Sequence, residues 1–205
     1  MPKSRKKPGS RSLQHRLFIL CEGMKDKSES AYFKGFLKDC NFAGKKVEVR
    51  VIDTNKNTGK ELVKEAKKCR IIPEDIIWVV YDKDGYTKHP VTFDTARSAK
   101  IEIAYSAVSF EYWILLHFEY TSKVFDKSED VISHLKDKGY LDYTKGDKEI
   151  YSQTKSLIQT AMKNAKSIQK YQASGNPHLR QIYKFDPYTD IDKLITAIRK
   201  MEKIK

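Results

Sequence analysis

Short, almost wholly apolar runs alternate with amphipathic stretches through the first half of the chain. Arg16 to Cys21, Lys46 to Ile52 and Asp75 to Tyr81 have strand length and strand composition, and Ile101 to Ser106 is a weaker fourth run. The third run contains IIWVVY and is apolar at nearly every position, as in a parallel strand covered on both faces. Between these runs the spacing becomes helical. Tyr32, Phe33, Phe36 and Leu37 mark one face over Ser28 to Asp39, and Leu62, Val63 and Ala66 mark another over Gly59 to Cys69. Strand, helix, strand, helix, strand predicts right-handed crossovers and an α/β fold: a doubly wound, mostly parallel sheet flanked by helices. In such sheets chemistry gathers where loops leave the carboxyl ends of strands.

After Ser106 the strand signals fade, and helical patterns cover Phe110 to Phe118, Ser128 to Lys138, Lys148 to about Gln172, and Thr189 to Lys203. Gly175-Asn176-Pro177 and Asp186-Pro187 punctuate them. The expected organisation is a flexible basic arm over 1–15, an α/β domain over 16–125 and a C-terminal helical extension over 126–205, a subdomain or cap packed on that domain.

Charge narrows the partners. Forty Lys and Arg stand against 27 Asp and Glu, a formal net charge of +13. Such a field attracts polyanions, so nucleic acid, DNA or RNA, is the first partner to consider, although a lysine-rich surface also serves solubility alone. No stretch approaches the ~18 to 20 apolar residues that span a bilayer, so no membrane is expected. Cys21, Cys40 and Cys69 are widely spaced, with no CxxC pair or neighbouring His, which argues against a disulfide framework or a zinc site and suits a reducing cytoplasm. No GxxxxGK[ST] motif occurs, so the chain is not itself a P-loop ATPase.

The first strand candidate ends in ILCEG and the third in VVYDKDG, which puts Glu22 at one carboxyl end and Asp82 and Asp84 at another. In extended backbone an Asp-x-Asp pair projects to one side. If the two strands are neighbours, three carboxylates meet at one edge of the sheet. Clustered carboxylates repel one another until something neutralises them, and a hard divalent cation with oxygen ligands does so, Mg²⁺ or Mn²⁺ being the expected cofactor. A tight turn is the competing explanation of Asp82-Lys83-Asp84-Gly85, since Asp and Gly dominate turns.

Glu after the first strand and Asp-x-Asp after the third resemble the Toprim pattern. More specifically, the chain resembles the RloB family through ILCEGMKDKSESAYFKGF, WVVYDKDG, AYSAVSFEYWILLHF, YTKGDKEIY, AMKNAKSIQKY and DPYTDIDKLITAI, from about Leu17 to Ile198. The resemblance implies a Toprim-like domain, a part in bacterial phage defence by abortive infection, and a separately encoded ATPase partner. The chain departs from the family pattern Glu-Gly-x-x-Thr-Glu, because two extra residues follow Glu22-Gly23 and Ser28 replaces Thr before Glu29.

Further residues attach to this picture. Glu111, in Phe110-Glu111-Tyr112-Trp113, suits the start of a helix, or is a fourth acid at the sheet edge, the choice that the resemblance favours. His117 falls about 240° round the helix from Glu111, on a face with Phe110, Trp113 and Ile114; it fits a hydrogen-bonded core histidine, with a ligand or proton-shuttle role as the alternative. Lys145, near Tyr143 and Tyr151, is placed to reach a phosphate, whereas Lys155, Lys163, Lys166 and Lys170 also fit a solvated helix face. The expected function is metal-dependent nuclease activity, with Glu22 as ligand or general base, Asp82 and Asp84 as ligands and Glu111 as an additional ligand. A module that binds nucleic acid or a partner without cutting, and a nucleotidyl transferase, are the alternatives.

Overall fold

The computed structural model describes residues 15–23, 27–83 and 87–204. The basic arm, apart from His15, lies outside them, and so does Asp84. Strands β1 (His15–Cys21), β2 (Val47–Ile52), β3 (Ile76–Asp82) and β4 (Glu102–Ala107) run parallel, and β5 (Tyr188–Thr189) is antiparallel to β4. Their order across the sheet is β2-β1-β3-β4-β5. The fold is therefore α/β, with a mostly parallel five-stranded sheet among the described residues, consistent with a Toprim-like fold. The four longer strands fall within a residue of their expected positions, because burial on both faces requires the continuous apolar runs from which they were read.

Side chains of β1 and β3 alternate between two cores. Leu17, Ile19, Trp78 and Val80 face one side, with α1 (Ser28–Lys38), α4 (Phe110–Leu115), α5 (Ser128–Asp137), α6 (Ile150–Thr154), α7 (Ile158–Gly175) and α8 (Ile191–Met201). Phe18, Leu20, Ile77, Val79 and Tyr81 face the other, with α2 (Gly59–Cys69) and α3 (His89–Ser98). Thr58 caps α2 by accepting from the Glu61 amide at 3.3 Å.

Three elements escape the periodicity argument. Helix α3 reads HPVTFDTARS, with β-branched residues and a buried face of His89, Thr92 and Ala96, so no apolar stripe announces it; Pro90 is tolerated in the first turn. Two residues of β5 are too few for alternation to show. The helix expected over Lys148 to Gln172 is interrupted by a 3-10 turn at Lys155–Leu157. The C-terminal third packs directly on the sheet: β5 extends it, and α7 and α8 share the core of α1. No helix among the described residues is long and apolar enough to cross a membrane.

His117 lies fully buried in that core. Its Nδ1 sits 3.0 Å from the Trp113 carbonyl, which places the proton there, and its Nε2 accepts from the Tyr32 hydroxyl at 3.1 Å. Burial lowers its pKa to about 4, against the pull of the two backbone carbonyls, so the ring is neutral at physiological pH. Replacing Tyr32 by Phe removes the donor and leaves Nε2 buried. Urea unfolding is expected to show a loss of about 1–3 kcal/mol; an unchanged midpoint would mean that the bond adds nothing to this core.

Candidate active site

Strand order brings the acids together. The chain passes from β1 to β2 on one side, then crosses to β3 on the other, so the loops after β1 and β3 part and leave a crevice at their carboxyl ends. Glu22 follows β1 and Asp82 closes β3. The Asp82 amide donates to Glu22 Oε2 at 3.3 Å, and the Glu22 amide to the Val80 carbonyl at 3.0 Å. Gly23 then turns the chain with φ of +86°, and a Cβ there would come within 2.4 Å of the Lys27 side chain.

Two further carboxylates arrive on helix starts. Glu29 lies in the first turn of α1 and Glu111 in the first turn of α4, both buried. A cavity of about 270 Å³ is walled by Glu29, Asp82 and Glu111, by the hydroxyl side chains of Ser28, Ser109 and Ser128, and by Lys27, Lys145 and Gly146. Glu22 is not among its walls and joins the cluster through Asp82.

The loop at 143–146 closes the cavity from the C-terminal third. Tyr143, fully buried, donates to Glu111 Oε1 at 2.9 Å and is hydrogen-bonded to Ser28 Oγ, which accepts from the Gly146 amide at 2.9 Å. Because the single Tyr143 proton goes to Glu111, Ser28 donates to the Tyr143 oxygen. This chain of bonds ties α1, α4 and the loop to one another. Lys145 is exposed at the rim, 3.0 Å from Glu129 Oε1.

The electrostatics are those of crowded acids. Burial pushes Asp82 well above the usual carboxylate range, and Glu29, Glu111 and Glu22 push it further, against the Phe110 amide. Burial raises Glu29 to about 7, helped by Glu111 and Glu22 and opposed by its own amide and Lys27. Asp82 and Glu29 therefore resist carrying charge together, and a cation beside them would relieve that.

The donor chemistry fits a hard divalent ion. All the acids offer oxygen, and among the described residues Asp82 Oδ1 is buried with no hydrogen-bond partner, as is Ser109 Oγ in the same cavity. Among the described residues no three acidic, histidine or cysteine side chains already stand as ligands around one point.

A model of the RloB-like protein family matches residues 17–198. The chain belongs to that family. The match spans Glu22, Glu29, Asp82, Glu111 and the 143–146 loop, so the whole cluster lies inside the family region of this RloB-like protein. No curated protein and no solved structure matches it.

Of the residues expected from sequence, Glu22, Asp82 and Glu111 meet, and Lys145 borders them. His117 bonds instead to Tyr32 in the core. Sequence reasoning missed Glu29, Ser28 and Ser109 as members of the cluster. Glu29 had a signal in the second acid of the family's Glu-Gly-x-x-Thr-Glu pattern; Ser109 had none.

Glu29 makes stability depend on pH. Its folded-state pKa of about 7 lies above the ordinary 4.5, so between those values the folded chain holds a proton that the unfolded chain has released, and stability falls as pH rises through that window. In EDTA, Glu29→Gln is expected to raise the melting midpoint at pH 8 by about 3 °C, roughly 1 kcal/mol in a chain of this size. The gain should fade towards pH 5. A gain independent of pH, or a loss, would show that Glu29 is not strained by its neighbours.

Proposed function

We propose that this RloB-like protein is a divalent-metal-dependent nuclease that cleaves phosphodiester bonds of DNA or RNA in a bacterial anti-phage, abortive-infection system, together with a separately encoded ATPase. The observation that carries the activity is the convergence of Glu22, Glu29, Asp82 and Glu111 on one crevice, with a buried oxygen on Asp82 that has no partner among the described residues and with lysines at the rim. Membership of the family supports the biological setting.

Mg²⁺ or Mn²⁺, held by Glu22 and Asp82 and, by its place in the sequence, Asp84, would supply positive charge to a phosphate oxygen and a water of lowered pKa. The chain's own residues do the rest. Lys145 and Lys27 draw the polyanion to an otherwise acidic cavity, within the field of a chain of net charge +13. Glu22 serves as ligand or as the base that receives the proton of the attacking water. Tyr143 fixes the Glu111 carboxylate through Oε1, so that Glu111 enters the cluster in one orientation.

Purified protein incubated with plasmid DNA, single-stranded DNA, rRNA and tRNA in Mg²⁺, Mn²⁺ or EDTA tests this. Cleavage that needs the metal and falls about 100-fold or more in both Glu22→Gln and Asp82→Asn is expected. Lys145→Ala should weaken substrate binding more than turnover. Binding that persists in EDTA and in both acid variants, with no cutting by wild type alone or with the ATPase, would replace the nuclease with a nucleic-acid- or partner-binding module.

A further inference from the structure

Strand β2 is an edge of the sheet, six residues long, with neither Pro nor Gly. The His15 amide donates to the Lys46 carbonyl at 2.9 Å and His15 is in register with Val47, so the even-numbered residues of β2 turn their backbone groups to β1. Val47, Val49 and Val51 therefore turn theirs outward. Among the described residues no backbone hydrogen bond meets them there. Such an edge is a template for another strand; Pro, a bulge and lysines are missing from it, and its two charged residues, Glu48 and Arg50, are of opposite sign.

The segment Val47-Glu48-Val49-Arg50-Val51 is complementary to itself. In an antiparallel pair of two copies with the two-fold axis at Val49, Val49 faces Val49, and Val47 faces Val51 in both directions. These are the outward-turned positions, so every one of them becomes a hydrogen-bonded pair. The same register sets Glu48 of each copy opposite Arg50 of the other. Glu48 and Arg50 share a face of β2 and already bond within one chain, with the Arg50 side chain 69% exposed. On the opposite face the valines form one continuous stripe, and Val49 and Val51 are only half-buried in the single chain, so there is apolar area left to cover. A register shifted by two residues would lose the match of charges.

We infer that the protein forms a two-fold symmetric dimer by antiparallel pairing of β2 with β2 of a second copy, centred on Val49. The joined sheet has ten strands among the described residues of the two copies. The two β2 strands run in opposite directions, so the acidic clusters lie at opposite rims of that sheet. This assembly does not rest on the proposed nuclease activity.

Sedimentation velocity and light scattering on the full chain test it. Wild type is expected at twice the 23.8 kDa of one chain in the micromolar range. Val49→Pro, which removes an outward N–H without touching the β1 ladder, should halve the mass while the circular dichroism stays unchanged. Arg50→Glu and Glu48→Arg each put like charges opposite one another and should weaken self-association at least about tenfold. Mixed together, those two variant chains should pair with each other, and the double variant Glu48→Arg/Arg50→Glu should dimerise again. A wild type that stays monomeric overturns the inference, including the case in which residues 1–14 cover the edge. So does a dimer whose mass none of these changes alters.

Discussion

Because β1 sits between β2 and β3, the chain must leave its carboxyl end in one direction and that of β3 in the other, and everything at the site follows from this crossing. Glu22 and Asp82 are distant in sequence, yet the crossing makes them hydrogen-bonding neighbours at one sheet edge. The adjacent loops deliver helices, and the first turns of α1 and α4 add Glu29 and Glu111. A carboxylate at a helix start gains from the local dipole. Here that gain is opposed by burial and by the other acids, and for Glu29 the opposition wins.

A strongly basic protein has thus gathered a buried acidic cluster at one crevice. The two features are complementary. The long-range field acts on a polyanion at a distance, whereas the cluster acts within a few ångströms and repels a bare phosphate. Charge on the rim, from Lys27 and Lys145, lies between these ranges. The charge that the crevice presents therefore depends on what neutralises the cluster.

How far the sequence carried the argument differs between residues. The strands were legible because two-sided burial writes an unbroken apolar run, as in IIWVVY, and the acids at their ends could be placed by counting. Helix α3 was not, because its buried positions are His89, Thr92 and Ala96, which carry no hydrophobic period. His117 showed its apolar face in sequence, but only the fold supplies Tyr32 as its partner. Ser109 stayed silent, since a serine before a helix reads as an ordinary cap; its buried oxygen, without a partner among the described residues, is visible only once β4 and α4 are packed. Lys145 could be named but not located, because its place depends on a loop folding back across the sheet.

That loop has a consequence for how the protein is made. Tyr143 reaches Ser28 across 115 positions of sequence and Glu111 across 32. A ribosome exposes every carboxylate of the crevice well before it releases the tyrosine that orients one of them and the backbone that closes the wall. The wall of the crevice is thus completed late in synthesis.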